Sequence, residues 1–250
     1  IWYLWLYHQL QSQQEDIAHR LTVLAETLRI ATPKFDITPL NEKEDWVVQS
    51  QKQCEPITAG KFYVHTSWQP TSKANKISIE IDPSQAFGTG THYTTAGCLE
   101  AMSQLADDSV FDSILDMGCG SGILAIGAHK LWPGASIMAV DNDPKALEVA
   151  KRNIELNGSS IVTDLASSPL ESNITPYAPF NLIIANILAD TLTEFVEDFT
   201  SILAQDGILI LSGILDKQAQ DLINCFQQHH FSLLKTINHD EWPTLILKKD

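Results

Sequence analysis

Residues 114–125 read Ile-Leu-Asp-Met-Gly-Cys-Gly-Ser-Gly-Ile-Leu-Ala. Ile114, Leu115 and Met117 give the short apolar run of a buried strand. Gly118, Gly120 and Gly122 make a tight turn, and helical spacing follows. A second apolar run, Ile137 to Val140, ends on Asp141, 23 residues beyond Gly118. Strand, glycine turn, helix and a second strand with an acidic tip form the first half of a doubly wound sheet. Glycine is required where the backbone passes close to a ligand in dihedrals a side chain forbids. A carboxylate at the second strand's tip can accept hydrogen bonds from both hydroxyls of a ribose. The pattern predicts a nucleoside site built from Gly118, Gly120, Gly122 and Asp141.

Outward from this stretch, helices and strands alternate from about residue 90 onward. The periodicities predict a helix over Thr94–Leu105, strands at 114–117 and 137–140 with a helix at 122–131 between them, and a helix after Pro144 carrying Leu147, Ala150 and Ile154. A short strand near Ile161 and a strand Leu182–Ala185 come next. One helix is then predicted with Leu192, Phe195, Val196, Phe199 and Leu203 on one face. A strand Ile208–Leu211, a helix around Leu222 and Phe226, and two terminal strands (231–237 and 244–248) forming an antiparallel edge hairpin complete the domain. The fold class is therefore α/β, with a doubly wound, mostly parallel seven-stranded sheet covered by helices on both faces.

Upstream, Ile77–Ile81 alternates apolar and polar residues and is expected to open this domain, taken as 77–250. Residues 41–76, charged and broken by Pro56, Gly60 and Pro70, are expected to be a connector with some structure of its own. Residues 1–40 form a unit of their own: a strand Trp2–His8, a helix Glu15–Arg29 with Ile17, Leu21, Leu24 and Leu28 at helical spacing, and a strand Phe35–Leu40. Strand–helix–strand is half of a ferredoxin-like α+β module.

Sixteen basic against 31 acidic residues leave a net charge of −15. Such a surface repels nucleic-acid phosphates and favours a protein substrate, so no direct nucleic-acid binding is expected. No run approaches the roughly 18 apolar residues of a membrane span. The start lacks the basic leader and cleavage site of a signal peptide, and no initiator methionine opens it. Cysteines 54, 98, 119 and 225 show no paired or metal-ligand spacing. A cytoplasmic protein with reduced thiols, no metal site and no membrane attachment is the expectation.

Glycine spacing selects the cofactor. A dinucleotide site wants G-x-G-x-x-G with helix-terminal N–H groups on a pyrophosphate. Gly118-x-Gly120-x-Gly122 is the tighter spacing of S-adenosylmethionine-dependent methyltransferases. That cofactor carries no phosphate, and no lysine or arginine lies between Asp116 and His129 to meet one. Asn186, ending the run Asn181-Leu182-Ile183-Ile184-Ala185, can point its carbonyl at an attacking amine near a sulfonium methyl; it can equally cap the helix that follows. Upstream, Gln85 to Thr95 is rich in glycine and threonine and precedes the cofactor half-fold. It is placed to act as a lid, with Thr95 reaching the cofactor carboxylate. His92 is a candidate base, although a lone loop histidine is more often a bystander.

The run Ala86-Phe87-Gly88-Thr89-Gly90-Thr91-His92 with Thr94-Thr95 resembles the signature of the PrmA family, methyltransferases of large-subunit ribosomal protein eleven. Gly118 to Ala125, Asp141-Asn142-Asp143-Pro144, Ala185-Asn186-Ile187-Leu188-Ala189, Leu211-Ser212-Gly213-Ile214-Leu215, Asp45-Trp46-Val47, Pro56-Ile57, Gly60 and Glu241-Trp242 are similar too. The resemblance spans about residues 42–250. It implies cofactor contacts from Thr95, Gly118, Asp141 and Asn186, and methylation of lysine side chains and the terminal α-amine of the ribosomal substrate, several times per amine. The family's recruitment domain is a full β-α-β-β-α-β fold, of which residues 1–40 supply what looks like the second half; docking of the ribosomal substrate is the property this departure touches.

Three other readings compete. Relatives that modify a lysine of the electron-transfer flavoprotein share the catalytic domain. A nicotinamide-dependent oxidoreductase shares the half-fold but wants the longer glycine spacing. A non-catalytic cofactor-binding module needs no acceptor. Nucleobase and glutamine-amide methyltransferases usually show Asn-Pro-Pro-Tyr, and Ile187, Leu188 and Ala189 stand here in place of the last three residues.

Overall fold

The computed structural model describes residues 14–28, 30–32, 56–69, 74–81 and 93–250. The chain divides into two compact units, residues 1–49 and 50–250. In the first, α1 (Gln14–Leu28) is the helix expected there. Ala25 is buried, whereas Val23 and Leu24 are about half exposed. The strands expected at 2–8 and 35–40 lie outside the described residues.

In the second unit, seven strands form one sheet: β4 (Ser113–Met117), β5 (Ser136–Asp141), β6 (Val162–Leu165), β7 (Phe180–Asn186), β8 (Leu203–Ser212), β9 (Phe231–His239) and β10 (Trp242–Lys249). Their order is β6-β5-β4-β7-β8-β10-β9. The first five run parallel; β10 is antiparallel to both β8 and β9. The order reverses between β4 and β7, the switch point beside which ligands gather in such sheets. The expected terminal hairpin forms, with β10 inserted against β8 and β9 left at the edge.

Alternate side chains along each strand feed two cores. Ile114, Ile137, Leu182, Ile184 and Ile210 face the layer containing α2 (Tyr93–Asp108), α3 (Ile123–Leu131) and α4 (Pro144–Leu156). Leu115, Val140, Ile183, Leu209 and Leu211 face α5 (Ala189–Glu194), α6 (Val196–Ile202) and α7 (Asp216–Gln228). Each such side chain contributes about 1.5–3 kcal/mol by leaving water. That explains why these strands are nearly continuous in apolar residues.

Two expectations need correction. The single helix from Leu192 to Leu203 is two helices, broken at Phe195. Leu203 is extended and pairs with Phe180 as the first residue of β8. The apolar spacing runs on through the break, where Phe195 packs edge-on against Phe199. Second, the structure expected within the connector is a sheet that belongs to this unit: β1 (Ile57–Ala59) pairs antiparallel with β2 (Phe62–His65), which pairs parallel with the expected strand β3 (Ile77–Glu80). Phe62, Val64 and Ile79 are buried in the same core as Leu99 and Met102 of α2. The Asn157 side chain also bonds both the N–H and the carbonyl of Glu80. The compact unit therefore starts at residue 50 rather than 77.

Candidate active site

A cleft of about 560 Å³ opens at the carboxyl ends of the central strands. Gly118, Gly120, Asp141 and Asn186 line it, as does Thr95 from the first turn of α2. The structure thus brings together five of the six residues singled out from the sequence. Gly122 sits behind them at the start of α3 with φ +79°, where a Cβ would press on Ala150 of α4.

The turn is fixed by the backbone of its neighbours. The N–H groups of Gly118 and Cys119 both donate to the carbonyl of Val140 at 2.9 Å. Gly118 has φ +77°, and a Cβ there would come within 2.4 Å of the Ile187 side chain. Asp141 is anchored from two sides: Oδ2 accepts the Gly120 N–H at 2.8 Å and Oδ1 accepts the Asp143 N–H at 3.0 Å. Each carboxylate oxygen has a further lone pair, so the anchored group can still receive two ribose hydroxyls.

Beneath the turn lies Asp116, wholly buried. Its Oδ2 accepts the N–H of Ala125 at 2.9 Å, and Oδ1 has no partner among the described residues. Burial pushes its carboxyl up to about 7; the Ala125 hydrogen bond opposes the rise and the Asp141 charge adds to it. Burial, with the Asp116 and Asp141 charges, also raises the Cys119 thiol well above its ordinary range, so this cleft-lining sulfur is a neutral apolar surface.

Asn186 ends β7, opposite Ser212 of β8. Its Nδ2 donates to Thr95 Oγ1 across a long 3.4 Å. That contact commits the donor end of the carboxamide to α2 and leaves Oδ1 as an acceptor. The helix-cap alternative is not what the structure shows, because Leu188 precedes α5 and makes no side-chain cap. His92 and the Gln85–His92 part of the expected lid lie outside the described residues.

Sequence reasoning did not place several lining residues at the site: Ala166 and Ser167 drew no notice, and Ile187, Leu188 and Trp242 figured only in motifs. Trp242 was within reach of topology. A strand antiparallel to β8 begins where β8 ends, so the first residue of β10 must stand at the ligand end of the sheet.

The lining fits a particular cofactor chemistry. Among the described lining residues Asp141 is the one charged side chain, and lysine, arginine and histidine are absent. A pyrophosphate has no cation to meet there, whereas a nucleoside carrying a sulfonium meets a carboxylate. No group of three or more metal-ligating side chains occurs among the described residues.

Comparison with known proteins agrees with this chemistry. The family model described as ribosomal protein L11 methyltransferase (PrmA) matches residues 5–250. The chain belongs to the PrmA family. PrmA relatives named ribosomal protein L11 methyltransferase include those of Agrobacterium fabrum, 37% identical over 95% of this chain and 82% of that protein, and of Nitratiruptor, 38% identical over 94% and 81%. The crystal structure of the L11 methylase from Lactobacillus delbrueckii superposes with a TM-score of 0.70 at 29% identity, over 79% of this chain and all of that one. A methyltransferase from Pyrococcus furiosus, 16% identical with a TM-score of 0.51 over 60% of this chain and 81% of that one, shares the fold. As a PrmA protein, the chain is an S-adenosylmethionine-dependent methyltransferase.

Proposed function

We propose that this chain transfers methyl groups from S-adenosylmethionine to lysine side-chain amines and the N-terminal α-amine of ribosomal protein L11, in the cytoplasm. The observation that carries the reading is the cleft itself: one anchored carboxylate, no cation among the described lining residues, and the Asn186 carboxamide beside the glycine turn. Thr95, Gly118, Gly120, Asp141 and Asn186 would hold the cofactor, Asp141 through the ribose hydroxyls. When bound, the cofactor supplies an electrophilic methyl on sulfur.

The protein's contribution is alignment. A lysine near pKa 10.4 costs roughly 4.6 kcal/mol to deprotonate at pH 7, and an α-amine near 7.7–8.0 costs about 1–1.4 kcal/mol. The proton can pass to water before in-line attack, so a dedicated base is unnecessary. The described lining accordingly holds one carboxylate, whose oxygens are already engaged by backbone N–H groups. Asn186 Oδ1 accepts a hydrogen bond from the amine and directs its lone pair along the methyl–sulfur axis. Holding the reactants in line in this way accounts for a large share of the rate.

The test is mass spectrometry of purified L11 after incubation with this chain and S-adenosylmethionine. Mass gains in whole methyl steps, localised to lysines or the amino terminus, are expected. An unmodified L11 beside intact cofactor binding overturns the substrate assignment in favour of another protein.

A further inference from the structure

The first turn of α2 and the β9–β10 hairpin meet beside the cleft, and the contact is specific. The His239 ring, last in β9, stacks on the Tyr93 ring with centroids 6.3 Å apart and 13° between planes. Its Nε2 donates to Glu100 Oε2 at 3.1 Å. A turn of helix away, Gly97 lies so close to Thr244 of β10 that a Cβ would come within 2.2 Å of the Thr244 hydroxyl. That hydroxyl is 2.9 Å from Ser212 Oγ, and Ser212 is the cross-strand partner of Asn186.

We infer that Glu100, His239 and Tyr93 form a latch that positions Thr95, and through it the Asn186 carboxamide, for methyl transfer. The inference rests on the amine-transfer reading above. Asn186 is held by α2 on one side, through Thr95, and by β8 on the other, alongside Ser212. The α2 contact is a single long hydrogen bond and cannot correct a displaced helix by itself. Core packing of Cys98, Leu99 and Met102 fixes the body of α2, and the fine placement of its first turn is left to the contacts that grip it beside the cleft. Glu100 and Tyr93 are seven residues apart, about two turns, on one side of the helix. A single histidine of the hairpin engages both. Neither Glu100 nor His239 is among the residues lining the cleft, so both act as positioning residues.

Three properties separate this role from general support of the fold. With the latch cut in His239→Ala, kcat falls about tenfold, the scale expected when reacting groups are slightly misplaced. The Kd for S-adenosylhomocysteine rises by no more than a few-fold, because Thr95 shifts while the glycine turn and Asp141 stay in place, so the loss falls mainly on kcat. His239→Gln keeps a donor for Glu100 and recovers part of kcat. Glu100→Ala lowers kcat similarly, and the double variant is no worse than either single one, as for residues that act as a unit. Glu100→Gln, near-isosteric, keeps the test available if the His239 variants fold poorly; it is expected to show the kcat loss in milder form.

Hydrogen exchange gives a readout independent of any acceptor: amides of 93–100 and 236–245 should exchange faster together in His239→Ala. Wild-type turnover tests the amine-transfer reading by itself, and the ratios between variants test the latch. A kcat for His239→Ala within about twofold of wild type, additive losses in the double variant, or unchanged exchange at 93–100 overturns it.

Discussion

Asp116 is a buried carboxyl with one oxygen unpartnered among the described residues, placed under the turn that carries the cleft. Its pKa is about 7 in the folded protein and 3.8 in a solvated chain. Between those values the folded protein holds a proton that the unfolded chain has released. Stability from this group therefore declines as pH rises from about 4 to about 7, and the cost persists above that. Asp116→Asn carries no such proton and keeps an acceptor for the Ala125 N–H. The melting temperature of the variant relative to wild type should be higher at pH 8 than at pH 5, and a difference independent of pH would show that burial does not hold the proton. This property was invisible in the sequence, where Asp116 is one polar residue within the strand that leads to the glycine turn. Asp141 was legible, because an acid at a strand tip follows from spacing alone. The Thr95–Asn186 contact joins positions 91 residues apart, a pairing that local patterns do not encode.

Elements were legible where a period ran long enough to declare itself. The central strands and α2 to α4 emerged because apolar runs and glycine turns coincide. The helix from Leu192 to Leu203 was misread because both halves bury the same face; only the extended Leu203, drawn into the ladder with Phe180, marks the break. Of the three-stranded sheet of 57–80, the strand at 77–80 was legible from its alternation, whereas the two before it were missed because the turn at Gly60 cuts them into runs of three and four residues. The turns after β7 and β8 show what a close approach demands. Gly213 follows β8 with φ +84°, and a Cβ there would sit 2.4 Å from the Ile187 carbonyl oxygen, next to Asn186. Gly213→Ala has to strain its own backbone and push that turn. A loss of about 1–3 kcal/mol is expected from an unfavourable positive φ with overlap. A lower denaturant midpoint at unchanged m-value would register it. The displaced Ile187 should also reduce kcat, whereas unchanged stability and turnover would mean that the two turns yield freely.

For the molecule as a whole, the relevant quantity is a net charge of −15 spread over 250 residues. Acidic residues stand next in sequence to cleft-lining ones: Asp143 beside Asn142, Asp190 beside Thr191, and Glu241 beside Trp242. A lysine-bearing acceptor is a cation until it yields its proton, so it approaches down a favourable field. Steering of this kind raises the rate of encounter and leaves the chemistry in the formed complex unchanged. The screening length shortens from about 10 Å at 0.1 M salt to about 3 Å at 1 M. With a lysine-containing acceptor, kcat/KM should therefore fall several-fold between these salt concentrations, while kcat at saturation holds steady. Binding of S-adenosylhomocysteine, which lacks the sulfonium charge, should respond far less. If kcat/KM proves insensitive to salt, encounter is not steered by charge, and the acidic surface serves solubility alone. If kcat falls in step with it, salt acts on the assembled site, and the geometry around Asn186 is where its effect must be sought.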